Sequence, residues 1–320
     1  MGVDATSYGT PRADLGEAMR EYIKDQNEYI ATKLFPLTPV DKQGANFAAV
    51  TRKSAMASVD TKRAAGSNYN RTNFGTEDKA YACEEHGLEG QLDAGDRAKY
   101  ASDLDAEVET VNDVTGKLLR AQEIRVAANV SESVFDSAAV FTHCSAVWTT
   151  ATNQNIIKDV QAARLKGYNL CGMRLNTLTV SETTLNRIMI NAEIKDAIKY
   201  VQGAEWDVIK GALARILGVE QILVGNGIYD SKPEGATAAA PASIWPDKYA
   251  LLSVTPADGK IVKPSLGRTM LWVNDTPENV MVETYEEPQT RSTIYRVRQF
   301  VDEVLIDKYF GQLIDVEAAS

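Results

Sequence analysis

The sequence predicts an α+β fold, and three observations predict it. A long amphipathic helix pattern runs from Ser102 to Val130. Strand and helix patterns alternate over 153–272, and from Glu278 onward the pattern becomes that of antiparallel strands. In the long helix, apolar residues fall at Leu104, Val108, Val111, Val114, Leu118, Ala121, Ile124 and Ala128, in steps of three or four. Acids crowd its front (Asp103, Asp105, Glu107, Glu109, Asp113) and bases come later (Lys117, Arg120, Arg125), the order that suits the helix dipole. Ser102 or Asp103 is placed to cap its start. At 1.5 Å per residue such a helix spans about 40 Å.

The bulk composition narrows the function classes. The chain has 320 residues, 44% apolar and 24% charged, as in ordinary globular proteins, with room for one large domain or two smaller ones. A net charge of −10 and a pI of about 4.9 argue against electrostatic binding of nucleic acid, which needs a basic face. Cys83, Cys144 and Cys171 are widely spaced, and His86 and His143 are the only histidines. That set is too sparse for a zinc site, so no metal is expected, and free thiols in a reducing compartment are. The opening MGVDATSYGTPRADLGEAMR lacks the apolar core of a signal peptide. No apolar run reaches the ~18 residues of a membrane span.

Taken in order, residues 1–12 read as an arm. A helical pattern over Asp14–Leu34 stops at Pro36 and Pro39, and LFPLTPVDKQG reads as extended chain. Asn46 to Gln91 is unusual, because Leu and Ile are nearly absent before Leu88. Its centre, KRAAGSNYNRTNFGTEDK, is polar and Gly/Asn-rich, between FAAVTRK and KAYACEEHGL, which read as strands. Together they predict a long two-stranded projection with a flexible tip, which places His86 in solvent. Loops of this length inside compact domains are uncommon, and are usually functional or disordered.

After the long helix, SVFDSAAVFTHCSAVWTT is strand-like. A helix Ile156–Lys166 comes next, capped by Asn155 or Asn153 and ended by Gly167. LNTLTV reads as a strand, Ser181 caps SETTLNRIMI, and a short helix AEIKDAIKY succeeds it. Glu205–Leu217 sets Trp206, Ile209, Leu213 and Ile216 on one face. VEQILVG, IWPDKYALLSVTP and TMLWV are strand-like. Tyr295 and Val297 alternate with Arg296 and Arg298, and EVLI and QLIDV are joined by DKYFG. These last strands are expected to form one antiparallel group, packed against the long helix.

No catalytic motif is present. Gly225-Asn226-Gly227 comes after a strand, but Asp230 stands where a third Gly belongs, and Pro233 comes too soon for a phosphate-binding helix. His143 beside Cys144 does not make a nucleophile–base pair. No cofactor is expected, and the four tryptophans read as core.

The order of parts resembles the major capsid protein of tailed bacteriophages, the Hong Kong 97-type fold. IATKLFPLTPVDKQG is similar to that family's arm, LLRAQEIRVAANV to the end of its spine helix, and LARILGVEQILVGNGIYDSKPEG to its axial domain. STIYRVRQFVDEVLIDKYFGQLIDV resembles its closing peripheral strands. The collinear order of these segments covers nearly the whole chain.

The resemblance implies an N-terminal arm over 1–45, an extended β-hairpin loop over 46–100 and a spine helix over 101–131. It further implies a peripheral domain from 101–152 with 273–320, and an axial domain over 153–272. The implied role is self-assembly into hexamers and pentamers of an icosahedral head in the virion, built in the host bacterial cytoplasm. The head encloses double-stranded DNA without sequence-specific binding. Implied partners are further copies of the chain, a scaffolding protein, a portal and a decoration protein. Lys62, Arg63, Tyr69, Arg71 and Phe74 are the expected subunit-interface residues. Neither Lys62 nor Lys79 matches a cross-linking motif, so no covalent cross-link is expected. Two other readings compete: an encapsulin-like compartment shell, and a soluble α/β enzyme whose long loop is a lid.

Overall fold

The computed structural model describes residues 10–11, 29–95, 97, 106–149, 155–199, 206–232, 240–256, 260 and 263–319. Most of the predicted helix Asp14–Leu34, and the capping positions Ser102, Asp103 and Asn153, lie outside these. The described part of that first helix is one turn, α1 (Ala31–Leu34).

Two sheets carry the α+β fold. The first has six strands: β1 (Thr10–Pro11), β2 (Leu37–Val40), β5 (Glu84–Asp93), β12 (Gly267–Trp272), β13 (Met281–Glu287) and β14 (Ser292–Leu305). The long β14 is its centre, antiparallel to β13, to β12 and to β5, with Ser292 opposite Asp93 and Val301 opposite Glu84. The extended Pro-marked segment became β2, parallel to β12.

Helix α3 (Ala106–Ala128) lies on this sheet, after the single-turn helix α2 (Arg52–Ala55). Val111, Val114, Leu118 and Leu119 pack with Leu92, Val282, Tyr295 and Val297. Gly90 lets the two approach, since a side chain there would collide with Thr110 and Val114. The predicted face holds only over the first half. Ala121, Ile124 and Ala128 are exposed, and the buried stripe continues instead through Gln122, Glu123, Val126 and Ala127. The i, i+4 step from Leu118 lands on a polar residue, so a reading that tracks polarity leaves the true face there.

The second sheet has the order β6–β15–β11–β7–β8, from β6 (Phe141–Cys144), β15 (Gly311–Ala319), β11 (Tyr249–Ser253), β7 (Thr177–Ser181) and β8 (Gln221–Gly225). Between β8 and β11 the chain forms a small antiparallel ribbon of β9 (Ile228–Asp230) and β10 (Pro241–Ser243). Helices α4 (Ile156–Cys171), α5 (Glu182–Ile190), α6 (Ala192–Ile198) and α7 (Trp206–Leu217) pack around the second sheet. α4 runs through Gly167 and stops at Gly172, whose φ of +71° is the left-handed C-cap conformation. Asn155 stands at its N-cap, but its side chain makes no capping bond there. Ser181 and Asn191 do cap α5 and α6. On α7 the buried residues are Leu213, Ala214 and Leu217, while Trp206 is 47% exposed, so it is not core.

The closing strands do not form one group. After β14 the chain turns through Asp307 and a 3-10 turn at Lys308–Phe310, and β15 enters the second sheet beside β11. Conversely, β12, which the sequence places with the α/β unit, belongs to the first sheet. The two sheets are therefore stitched by both ends of the chain. A further apolar cluster at their junction joins Leu34 and Phe35 to Val126, Phe135, Trp245 and Leu313.

Candidate assembly surface

The segment singled out by its composition contains a hairpin of β3 (Gly44–Val50) and β4 (Thr76–Ala82), paired from Gly44↔Ala82 to Val50↔Thr76. The expected second strand is interrupted at Cys83, and beyond that residue the chain joins the first sheet as β5. His86 therefore stands half-buried opposite Gln299 and not in a solvated loop, and burial, then the Arg125 charge, pushes its pKa down.

The hairpin rests on its own subunit at its root. Tyr81 and Cys83 are buried with Val40 and Met270, and Phe47, Phe300, Val304 and Ile306 pack around them. The Cys83 thiol is pushed up to about 11, mainly by burial. The amide of Ala82 donates to Asp302 at 2.9 Å, and Lys79 Nζ donates to the Ile306 carbonyl at 2.5 Å.

At the far end, Arg52 on α2 donates from Nη1 to the Leu170 carbonyl at 2.8 Å, and its guanidinium lies 3.6 Å from the centre of the Tyr309 ring. Thr51 N–H donates to the Gly75 carbonyl, and Gly75 N–H to Ser54 Oγ, which closes the neck of the loop. The segment that stands fully in solvent is thus shorter than the sequence suggests, beginning near Met56.

All five expected interface residues lie on the exposed stretch 57–75. The structure brings two of them together: Arg63 stacks 4.5 Å from the Tyr69 ring while its Nε donates to the Ser67 carbonyl at 2.6 Å. Lys62, Arg71 and Phe74 are exposed, and Tyr69 and Phe74 are 75% and 76% exposed. Aromatic side chains of this kind are enriched at protein–protein interfaces relative to the rest of the surface.

Elsewhere, no group of described residues has the make-up of a metal site, and no described helix is long and apolar enough to cross a membrane. The strand alternation separates His143 from Cys144. His143 Nδ1 stands 3.5 Å from Asp315, while Cys144 is fully buried and donates to the Ala318 carbonyl. Gly225 of the Gly-Asn-Gly stretch is explained by packing, because a side chain there would overlap the Trp245 indole.

Sequence reading missed two residues. Arg52 docks on a main-chain carbonyl, which leaves no signal in the sequence. Glu123 is a fully buried carboxylate that accepts from Ile30 N, Ala31 N and Trp245 Nε1. Burial raises its pKa against the pull of those hydrogen bonds.

No protein-family model and no curated protein matches the chain. Solved structures do. A phage-related protein from Bordetella bronchiseptica superposes with a TM-score of 0.73 at 23% identity, over 96% of this chain and 98% of its own. The capsid of cyanophage P-SCSP1u gives a TM-score of 0.58 at 11% identity, over 90% and 87%. The SrpI encapsulin of Synechococcus elongatus gives 0.50 at 10% identity, also over 90% and 87%. These likenesses define the fold: the chain has the Hong Kong 97-type capsid fold from near one end to the other.

Proposed function

We propose that the protein is a major capsid protein, a structural and non-catalytic subunit that self-assembles into the hexamers and pentamers of a phage head. The observation that carries this reading is a capsid fold matched over nine-tenths or more of the chain, joined to an exposed loop bearing Tyr69 and Phe74. In this reading 1–45 is the arm and the β3–β4 hairpin with its tip the extended loop. The peripheral domain is built on the first sheet and α3, and the axial domain on the second sheet and α4–α7, so that β5 and β12 go to the former and β6 and β15 to the latter. Lys62, Arg63, Tyr69, Arg71 and Phe74 meet a neighbouring copy. The net charge of −10 supports attraction of those cations to acidic surface on that copy. It also suits a container that encloses DNA without gripping it. Ring-forming contacts of this kind are heterologous, one patch meeting a different patch on the next copy. Scaffolding, portal and decoration proteins are the partners such a head uses, assembled in the host bacterial cytoplasm.

The likeness to an encapsulin supports a second reading, a compartment shell around protein cargo. Negative-stain electron microscopy with size-exclusion chromatography tests both, on the chain expressed alone and with its neighbouring genes. Hollow shells or six- and five-fold rings are expected, and particles that co-purify with protein cargo and no DNA favour the encapsulin. A chain that stays small in every combination refutes both.

A further inference from the structure

The hairpin is held along its root and again at its far end, with a groove between that Lys79 crosses, on the Ile306 carbonyl. Its root is fixed by packing, where Tyr81 and Cys83 are buried against Val40 and Met270. Between root and tip a groove of about 520 Å³ separates it from the chain at 305–310, lined by Val50, Lys53, Glu77 and Lys79 on one side and Leu305 and Tyr309 on the other. Across that groove the far end is caught by Arg52, on the Leu170 carbonyl and the Tyr309 ring. Beside it, the half-exposed Met56 reaches Gly172, where an added Cβ would stand 3.3 Å from its Cε.

A planar guanidinium that hydrogen-bonds and stacks at once fixes both distance and orientation. The neck bonds among Thr51, Ser54 and Gly75 carry that orientation to both strands of the 57–75 loop.

We propose that Arg52 is a positioning residue, a latch that sets the direction in which the 57–75 loop leaves the subunit and thereby the angle between neighbouring copies. The second half of the proposal rests on the shell reading; the first half does not. A hairpin fixed along its root by packing and by the Lys79 and Ala82 bonds, with Arg52 as the catch at its far end, makes a lever of the loop beyond. Its angle is sharply defined only while the catch is closed, and neighbours that contact the tip inherit that angle.

The test uses the full chain with nitroxide labels at Ser67→Cys and Leu165→Cys, two exposed positions, read by pulsed electron resonance as a distance distribution. The parent background gives one narrow distance. Arg52→Ala is expected to widen the distribution at least twofold. Arg52→Lys, which keeps the charge but loses the planar stack, falls between. An unchanged width in Arg52→Ala overturns the latch, provided its thermal melt matches the parent's to show that it folds.

Electron microscopy of assembled particles tests the second half. The parent forms one diameter class, and Arg52→Ala is expected to give several classes or open sheets. Parent-sized shells from a variant with a widened distribution overturn the link to assembly geometry. A parent that forms no particles counts against the shell reading alone, and the label distances still decide the latch.

Discussion

The indole Nε1 of Trp245 donates to Oε1 of Glu123 at 2.5 Å, and the carboxylate that receives it is fully buried. Glu123 Oε2 takes the Ala31 amide at 2.7 Å, and the Ile30 amide is shared between both oxygens at 3.0 and 3.1 Å. One side chain therefore ties the start of α1, the second half of α3 and the approach to β11. A charge at the N-terminus of a helical turn, answered by three donors, is a strong arrangement. It stands at the junction of the two sheets, so it fixes how the N-terminal segment enters the body.

Truncating this anchor leaves three buried donors without an acceptor. Glu123→Ala is expected to destabilise the chain by about 3–5 kcal/mol, the cost of breaking a buried charged network from one side. Chemical denaturation measures it, and a loss below about 1 kcal/mol would assign the site to solvent-compensated bonds.

The same residue predicts a pH dependence. Burial raises the Glu123 pKa in the folded chain, more than the bonds from Ile30, Trp245 and Ala31 lower it. A carboxyl whose folded pKa lies above its unfolded one adds stability below the unfolded pKa. That contribution is lost as pH rises through the folded pKa. Compared with the non-titrating Glu123→Gln, the parent should gain relative stability as the pH falls from neutral toward the ordinary carboxylate range. A relative loss on acidification contradicts the assignment.

Gly225 tests a packing constraint close to the same indole. Gly225→Ala places a methyl group where the Trp245 ring stands. Overpacking of this sort costs about 1–3 kcal/mol. The melting temperature should fall and the near-ultraviolet tryptophan signal should change with it. If Gly225 instead served a ligand, stability would stay at the parent value.

How much of this was legible in the sequence differs by element. The first half of α3 was legible because Val111, Val114 and Leu118 are apolar at helical spacing and face a sheet. The second half was not, because Glu123 is acceptable in a core only through donors from Ile30 and Trp245, 93 and 122 residues away. EVLI and QLIDV both read as strands, yet only the turn at Asp307–Phe310 sends the second into another sheet. The exposed loop was legible from its polar, Gly/Asn-rich composition. The docking of its neck was not, since Arg52 seeks a backbone carbonyl that every residue possesses. The five residues expected at an interface share an exposed stretch, and a partner surface for them would belong to an assembly that a single subunit's sequence does not spell out.

The three cysteines are free and buried. Burial lifts the Cys83 and Cys144 thiols to about 11 and raises Cys171 as well. Thiolate is the reactive form, so at pH 8 these groups should react slowly with a water-soluble thiol reagent while the chain is folded. All three should react at the rate of a free thiol in denaturant. A thiol that titrates rapidly in the native chain would locate an opening, and Cys83, at the root of the hairpin, would report movement of the lever there.

Deleting Ser67–Phe74 separates folding from assembly. The segment is exposed throughout, and its bonds stay within the loop, as in Arg63 Nε to the Ser67 carbonyl and Asn70 Nδ2 to the Asp60 carbonyl. Its loss should change the stability of the subunit by less than about 1 kcal/mol, since surface changes away from packed features rarely cost more. Yet it removes Tyr69, Arg71 and Phe74, the aromatic and cationic side chains best suited to anchor a contact with another copy. The expected outcome is a folded subunit that forms few or no shells. Charge reversal at Arg63 and Arg71 should slow assembly most at low salt, where charge steering is strongest. Normal shells from the deletion variant would move the contact surface off this loop, and the docked neck around Arg52 and Met56 would be the next place to look.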